Sequence, residues 1–419
     1  MIDPRLQTAL ILQDILENKI IASEAKQHFD PVANNDLSFS NMLLQTSLRN
    51  LVPIKKLLKT YIKKKLPTNA KLALYLLILG TTEILYLSTP DYAVINSYVD
   101  IAKKRLDKYV AGFVNAVLRK ICNNKDAFNK QPTTEFFPPE FRRIINASYN
   151  KKQSALIEAS FSNEPLLDIT AKSGKSIEDA IILPLGSYRL KNNGNITKIS
   201  GFSEGHWWVQ DFSSSLAVNL LDNVKNKKIL DVCAAPGGKT AQLIERGALV
   251  TSLDISSQRL DRLKENLKRL KLEAQEIICA DAIDWLKNFH QEPYDMVLLD
   301  APCSATGTLR RHPELVHIKT LSDVNKMADV QHQLLNLVPR ALKSKGTLIY
   351  CTCSLSRTEG EEQIRQFLKL HPEFKTKQTP LPDELKSMQT SEGWIRVLPS
   401  HLSKQGGADG FFIAFLTKE

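Results

Sequence analysis

The stretch "DVCAAPGGKTAQL" at residues 231–243 decides the fold, because it joins a strand-like run to a helical run through a turn of small residues. The preceding "KKIL" has the pattern of a buried strand, and the following "TAQLIER" has the pattern of a helix. Gly237 and Gly238 let the backbone approach a ligand closely, and the helix presents unpaired N–H groups at its first turn. We therefore expect a strand–turn–helix unit that binds a ligand at its turn.

The alternation of strand-like and helical runs continues from this turn to the end of the sequence. The strand-like runs are "ALVTSLDI", "EIICAD", "DMVLLDAP", "GTLIYCTCS" and "GFFIAFLTK", and helical patterns such as "SSQRLDRLKENLKRLKL" separate them. Repeated strand–helix units predict an α/β fold with a mostly parallel sheet that helices cover on both faces. Ligands of such sheets bind at the carboxyl ends of the strands.

Acidic residues close three of these strands. Asp254, Asp281 and Asp300 end the second, third and fourth runs. A single aspartate there is more often a helix cap, but three together favour a nucleoside cofactor, with Asp254 on the ribose hydroxyls and Asp281 near the base. The string "GGKT" also matches the tail of a phosphate-binding P-loop, but that pattern needs a glycine where this chain has Cys233. The turn thus favours a nucleoside cofactor over a nucleoside triphosphatase.

The N-terminal part of the chain has a different pattern. Apolar residues recur at helical spacing over about 125 residues, and the apolar stretch 72–87 is interrupted by polar residues, as in a buried core helix. The pattern then weakens through a proline-containing region. We expect an all-helical domain at 1–130, a linker and small α/β subdomain at 131–225, and the α/β domain at 226–419.

Composition and charge limit the class of protein. The 419 residues are 43% hydrophobic and 24% charged, as in a soluble globular protein, and the N-terminus lacks the features of a secretory signal. Residues 1–150 carry 21 Lys and Arg against 13 Asp and Glu, which indicates either a polyanionic partner or simply a basic surface. The six cysteines form no CxxC pair, so we expect free thiols, no metal site, no membrane association and a cytoplasmic location.

Two of the strand ends present cysteines. "DAPCSATGT" at 300–308 and "YCTCS" at 350–354 each follow an apolar run, which places Cys303 and Cys353 at the same edge of the predicted sheet. A cysteine thiolate is a strong nucleophile once its pKa is lowered. The pattern alone does not rank one cysteine above the other as the attacking group.

These motifs together resemble the S-adenosylmethionine-dependent RNA cytosine-5 methyltransferases. "CAAPGGKT" is similar to the cofactor loop of that family, "DAPCSATG" to its proline-cysteine motif and "TCS" at 352–354 to its threonine-cysteine motif. "AVINSYVDIAKK" at 93–104 and "GFVNAVLRK" at 112–120 are similar to the NusB-like domain that one branch carries. The resemblance covers nearly the whole chain. It implies a Rossmann-like methyltransferase domain with a seven-stranded sheet behind an RNA-binding NusB-like domain.

The resemblance also implies roles for individual residues. Cys353 attacks carbon 6 of cytosine, Cys303 assists the breakdown of the covalent adduct, Asp300 stabilises the adduct near N3, and Lys239 either orients this site or caps the turn. The residues implied to bind S-adenosylmethionine are Cys233, Ala234, Ala235, Pro236, Gly237, Gly238, Lys239, Asp254, Asp281 and Asp300.

The implied substrate is small-subunit (16S) ribosomal RNA, before the subunit is fully assembled, and we expect a monomeric enzyme. One departure concerns the middle region, where Asp168 and Thr170 stand in place of the arginine and asparagine common in the family. The alternative hypothesis is a non-catalytic RNA-binding factor with a relic methyltransferase domain. The intact glycines, the three acids and both motif cysteines argue against decay of the site.

Overall fold

The chain is described here by a computed structural model over residues 3–29, 34–63, 70–129, 135–192 and 194–419. Its contacts divide it into two compact units. We refer to them as the helical unit, formed by Met1–Arg143, Lys151–Asn163 and Leu309–Thr320, and the sheet unit, formed by Ile144–Asn150, Glu164–Thr308 and Leu321–Glu419.

The N-terminal region is helical, as the apolar spacing predicts. Its helices are α1 (Pro4–Asn18), α2 (Ala22–Gln27), α3 (Asn34–Arg49), α4 (Leu51–Tyr61), α5 (Lys71–Tyr86), α6 (Asp91–Arg105), α7 (Lys108–Asn123), α8 (Lys125–Asn129), α9 (Pro139–Ser148) and α10 (Lys151–Ser160).

Helix α5 forms the centre of the helical unit. Its residues 76–79 are fully buried, as expected for a helix that is apolar on all sides. Its one acidic side chain, Glu83, is also fully buried and accepts hydrogen bonds from Arg5 Nε and Nη2 at 2.8 Å and from the Tyr98 hydroxyl at 2.6 Å. The prediction of a buried core helix is confirmed. Among the described residues, no helix has the length and apolar character needed to cross a membrane.

The segment Leu309–Thr320, which directly follows the "DAPCSATGT" motif, belongs to the helical unit and contains the short helix α15 (Leu315–Ile318). Arg49 Nη2 donates a hydrogen bond to the Arg310 carbonyl oxygen at 2.9 Å. His317 Nε2 lies 2.7 Å from the carbonyl oxygen of Leu48, to which it donates as the neutral imidazole. These contacts tie the segment to the end of α3.

A small antiparallel sheet opens the sheet unit. Its strands are arranged in the order β2-β3-β1-β4, and helix α11 follows the last of them. Their bounds are β1 (Asp168–Ala171), β2 (Ala180–Ile182), β3 (Ser187–Leu190), β4 (Trp207–Val209) and α11 (Phe212–Asn219).

The two departing residues of the middle region have structural partners in this small sheet. Asp168 is buried and accepts hydrogen bonds from Arg189 Nε at 2.6 Å and Nη2 at 2.8 Å, and also from the Phe212 N–H at 3.1 Å. The Thr170 hydroxyl donates to Gln210 Oε1 at 2.9 Å. Both side chains therefore serve the packing of the small sheet.

The large sheet carries the motifs. Its strands and helices are β5 (Lys228–Val232), α12 (Gly238–Glu245), β6 (Leu249–Asp254), α13 (Ser257–Leu270), β7 (Glu276–Cys279), α14 (Ala282–Lys287), β8 (Tyr294–Asp300), α16 (Leu321–Leu337), β9 (Leu342–Thr352), α17 (Glu361–Leu370), β10 (Phe374–Thr376), β11 (Ile395–Val397) and β12 (Phe411–Lys418).

The strand order of the large sheet is β10-β12-β9-β8-β5-β6-β7. Strands β5 to β9 pair in parallel, and β12 pairs antiparallel with β9, β10 and β11. This confirms the Rossmann-like fold with a mostly parallel sheet. One difference is the additional strand β11, whose three residues are too few to show a strand pattern in the sequence.

Helices cover both faces of this sheet. Along β8, Val297 and Leu299 pack in one buried cluster while Leu298 packs in another, because successive side chains of a strand point to opposite faces. Burial on both faces explains why the strands read as continuous apolar runs rather than as alternating ones. The polar residues are left at the carboxyl ends of the strands.

Candidate active site

The loop between β5 and α12 turns sharply at two residues. Cys233 and Gly237 have positive φ angles of 62° and 96°. At Gly237 a Cβ atom would meet the Leu263 side chain at 2.7 Å, so both the backbone conformation and the close packing require glycine. The loop brings the backbone of residues 233–237 against the carboxyl end of the sheet.

A cleft of about 390 Å³ opens at this edge. Six of the residues predicted from the sequence line it together, namely Cys233, Asp254, Asp281, Asp300, Cys303 and Cys353. The other predicted loop residues, Ala234, Ala235, Pro236, Gly237, Gly238 and Lys239, are not among the residues that line it. The structure thus brings the strand-end acids and both motif cysteines to one place.

Asp254 closes β6 at the floor of the cleft. Its side chain is buried, and its carboxylate accepts hydrogen bonds from the Ala235 N–H at 3.1 Å and the Ser256 N–H at 3.0 Å. Arg259 Nη1 lies 3.6 Å from the same carboxylate. Two backbone donors and a guanidinium hold the carboxylate in place, so it is preorganised to accept hydrogen bonds from ligand hydroxyls.

Asp281 lies two residues beyond the end of β7, not at its last residue as the sequence pattern indicated. It is the N-cap of α14 and accepts a hydrogen bond from the Asp284 N–H at 3.0 Å. It also lines the cleft. The cap and the cleft position are compatible, because a carboxylate has capacity for more than one donor.

Lys239 and Asp300 form an ion pair behind the cleft. Lys239 Nζ donates to Asp300 Oδ2 at 2.7 Å, and the Cys351 thiol donates to Asp300 Oδ1 at 3.4 Å. Burial disfavours the charge of Lys239, yet the neighbouring acidic groups, Asp300 first and then Cys351 and Asp231, more than offset this and raise the pKa of Lys239. Burial and the same carboxylate raise the pKa of the Cys351 thiol, which stays protonated in the core.

The sulfur atoms of Cys303 and Cys353 lie 3.4 Å apart, within hydrogen-bond distance of each other. This hydrogen bond, followed by burial and by the charges of Cys353 and Glu359, raises the pKa of the Cys303 thiol well above its ordinary value. Cys303 therefore remains a thiol in the resting site. Burial raises the pKa of Cys233, the third cysteine of the cleft, to about 12, so it is not a nucleophile at neutral pH.

Sequence reasoning missed two buried acids next to the site. Glu359 is fully buried and accepts hydrogen bonds from Ser304 and Ser354, the residues that follow the two motif cysteines. Asp231 lies beneath the loop, where burial raises its pKa to about 7 and the Thr240 hydroxyl donates to it at 2.6 Å. Asp231 lies within β5, two residues before the loop motif "CAAPGGKT", and an acid inside a buried strand was the available signal.

The basic residues that follow the cysteine motif are not among those that line the cleft. Arg310 is buried in the helical unit, and His312, which is exposed, lies 3.6 Å from Glu314. Trp207 and Trp208 are buried core residues. Within the described residues, no group of three or more His, Cys, Asp or Glu side chains is arranged to hold a metal ion.

Comparison with known proteins relates the chain to characterised families. Residues 218–417 match the family "16S rRNA methyltransferase RsmB/F", and residues 3–123 match the NusB family. The chain is 32% identical over 395 residues to ribosomal RNA small subunit methyltransferase B of Photorhabdus laumondii, with 88% of each chain covered. It is 31% identical over 411 residues to the protein of that name from Proteus mirabilis, with 93% of this chain and 92% of the relative covered.

Solved structures show the same fold. The crystal structure of PH0851 has a TM-score of 0.76 at 24% identity, covering 100% of this chain and 99% of its own. The structure of NSun6 from Pyrococcus horikoshii with SFG has a TM-score of 0.58 at 20% identity, covering 68% of this chain and 99% of its own.

The fold, the cleft and these matches define the class as Rossmann-like methyltransferases that use S-adenosylmethionine. The residues present fit that cofactor, because the cleft joins the buried Asp254 carboxylate to the glycine-containing loop and to the two thiols. The chain belongs to the family of 16S rRNA methyltransferases RsmB/F, in the branch with an N-terminal NusB domain.

Proposed function

We propose that this enzyme methylates carbon 5 of a cytidine in small-subunit ribosomal RNA through a covalent adduct between Cys353 and carbon 6 of the base. The observation that carries the proposal is the pair of thiols, 3.4 Å apart, in a cleft that also contains Asp300. Two cysteines at this distance suit a reaction in which one thiol attacks and the other acts on the same adduct.

The chemistry requires activation of the base, because carbon 5 of cytosine is a poor nucleophile. The Cys353 thiolate adds to carbon 6, and the electron pair of the 5,6 double bond becomes available at carbon 5. Bound S-adenosylmethionine supplies an electrophilic methyl group to that carbon. A base then takes the proton from carbon 5, the electron pair of that C–H bond re-forms the double bond, and the Cys353 thiolate is expelled. Cys303 assists this last stage. Its raised pKa keeps it protonated, so it does not compete with Cys353 as the attacking group.

In this proposal Asp300 contacts the base, and Lys239 holds Asp300 in place. Asp300 stabilises the adduct near N3 of the ring, and the buried ammonium of Lys239 fixes the orientation of the carboxylate. For the cofactor, we propose that Asp254 accepts the ribose hydroxyls, Asp281 meets the base, and the loop at residues 233–239 contacts the remainder. The positive φ of Gly237 supports a close backbone approach there.

The attacking cysteine is tested by two substitutions with opposite outcomes. Cys303→Ala should accumulate a protein–RNA adduct that survives denaturing electrophoresis, because release is impaired. Cys353→Ala should form neither adduct nor methylated product. Cys122→Ala, which changes a free thiol of the helical unit, is the matched control and should behave as wild type. The assignment would be refuted if Cys353→Ala still methylates RNA and Cys303→Ala accumulates no adduct.

The substrate and setting are also proposals. The NusB match and the excess of basic residues in 1–150 support RNA binding by the N-terminal domain, with a monomeric enzyme acting in the cytoplasm on RNA that is not yet in a fully assembled subunit. We retain 1–130, 131–225 and 226–419 as the proposed evolutionary domains. Bisulfite sequencing of ribosomal RNA from a deletion strain should show the loss of one 5-methylcytidine, and an unchanged pattern would contradict the substrate.

A further inference from the structure

Glu359 is a fully buried acid that the proposed reaction does not use. It ends the 3-10 turn Arg357–Glu359, between β9 and α17. In sequence it lies in "SRTEGEEQ", where an acidic residue before a helix is an ordinary feature of a first turn. The structure instead turns its carboxylate inward, toward the two cysteine motifs.

The carboxylate of Glu359 accepts hydrogen bonds from both motifs at once. Oε1 accepts from the Ser304 N–H at 2.7 Å, and Oε2 accepts from the Ser304 hydroxyl at 2.5 Å and from the Ser354 hydroxyl at 2.5 Å. Ser304 directly follows Cys303, and Ser354 directly follows Cys353. One side chain therefore joins the residues next to both thiols, which are otherwise 50 positions apart in the chain.

Further contacts fix Glu359 itself. Its carbonyl oxygen accepts from the Tyr350 hydroxyl at 2.8 Å and from the Thr352 hydroxyl at 3.2 Å, so the residue is anchored to the end of β9. Gln331 Nε2 donates to Oε1 at 3.2 Å and also to the Pro302 carbonyl oxygen at 2.8 Å. Because these partners are buried with it, the carboxylate is held in one position.

We propose that Glu359 is a positioning residue that sets the distance between the two thiols by linking Ser304 to Ser354. The proposal rests on the two-cysteine reaction of the proposed function. The buried carboxylate keeps Cys353 placed for attack on the base and Cys303 placed for release of the adduct. Glu359 acts through the two serines. Its negative charge also contributes, after the hydrogen bond to Cys353 and burial, to the raised pKa of Cys303.

Two substitutions separate the spacing from the charge. Glu359→Ala removes all the acceptors, so the two loops lose their link and kcat should fall roughly 100-fold, the order of loss that follows a displacement of about 1 Å at a reacting group. The KM for S-adenosylmethionine should stay unchanged. Glu359→Gln keeps an acceptor for the Ser304 N–H and removes the charge, and its amide nitrogen can donate to the two serine hydroxyls in place of Oε2, so the link between the loops is retained with its donors reversed. Its kcat should stay within roughly tenfold of wild type, and the pH profile of adduct breakdown should shift to lower pH. Glu362→Gln, an exposed neighbour, is the matched control.

The thiol distance has its own readout, independent of RNA. Phenylarsine oxide condenses with two close thiols to form two As–S bonds and one water molecule. Wild type and Glu359→Gln should be bridged in a 1:1 product that either Cys303→Ala or Cys353→Ala abolishes, and Glu359→Ala should lose it. Bridging and kcat at wild-type levels in Glu359→Ala would overturn the proposal.

The outcomes also separate this inference from the proposed function. If Cys303→Ala accumulates the RNA adduct while the Glu359 variants match wild type in kcat, bridging and pH profile, the positioning role fails and the proposed function stands. If Cys303→Ala accumulates no adduct while bridging still depends on Glu359, the two-cysteine reaction fails instead. If Glu359→Ala does not fold, Ser354→Ala decides, because it removes the Ser354 side of the link, and bridging and kcat at wild-type levels in that variant overturn the role.

Discussion

The ion pair between Lys239 and Asp300 allows a quantitative prediction. Lys239→Met keeps most of the apolar stem but removes the ammonium that lies 2.7 Å from Asp300 and 5.1 Å from the centre of the Phe411 ring. The carboxylate then stays at the edge of the cleft without its buried cation. We expect both stability and turnover to fall, for two separate reasons.

The stability effect follows from the exposure of the two groups. Removing one partner of a fully buried ion pair costs about 3–5 kcal/mol, because the other charge is left uncompensated. The Lys239 side chain is only 8% exposed, but that of Asp300 is 33% exposed, so water screens part of the loss. We therefore expect about 2 kcal/mol. For a unit of this size that corresponds to a fall in melting temperature of roughly 4–8 °C.

The activity effect follows from orientation. Without the ammonium, the Asp300 carboxylate is free to rotate away from the base, and kcat should fall by roughly 100-fold. Single-turnover methylation measures this below the new melting temperature. A double-mutant cycle with Asp300→Asn, followed by thermal unfolding, isolates the pair, and we expect a coupling energy of about 2 kcal/mol. Additive stability changes, together with unaltered kcat in Lys239→Met, would refute this account of the ion pair.

Three further predictions concern other residues. Arg189→Met leaves Asp168 without its guanidinium partner and should destabilise the sheet unit by about 3–5 kcal/mol, which thermal unfolding measures. Weaker RNA binding with unchanged stability would instead indicate that Arg189 contacts RNA. Burial lowers the pKa of His317 from 6.5 to about 4, so the imidazole binds a proton more tightly in the unfolded chain than in the folded one. The free energy of unfolding of the helical unit should therefore fall by about 3 kcal/mol as the pH falls from 6.5 to 4. In His317→Gln, which keeps a donor for the Leu48 carbonyl, denaturation should no longer show this pH dependence, and an unchanged slope would contradict it. Asp254→Asn should weaken S-adenosylmethionine binding roughly 10–100-fold in calorimetry, and an unchanged dissociation constant would remove Asp254 from the cofactor site.

The part of the site that the sequence predicts is local in the chain. Asp254 and Asp300 each end a buried strand, so an apolar run followed by an acid was sufficient to place them at one edge. Gly237 was predictable because a turn between a strand and a helix needs its positive φ. The same reasoning did not predict that Asp281 lies beyond the end of β7, since strand ends are predicted only to within a few residues.

The part that the sequence did not predict depends on contacts between distant segments. Glu359 meets Ser304 across 55 positions, and no spacing rule connects a glutamate to a serine at that distance. Arg310 lies two residues after the "DAPCSATGT" motif, yet its basic side chain is buried within the helical unit. Composition describes the residue type, whereas the burial of a charged side chain depends on tertiary packing.

The assignment of Leu309–Thr320 to the helical unit has a consequence for the order of synthesis. A ribosome completes residues 1–163 long before it reaches this segment, so the N-terminal helices emerge without the Arg310 carbonyl that Arg49 bonds and without the His317 ring that bonds Leu48. The helical unit can reach its final packing only after most of the large sheet has also been translated. A fragment that ends at residue 163 would therefore lack part of its own core, and separate expression of the two units requires a permuted chain rather than a single cut.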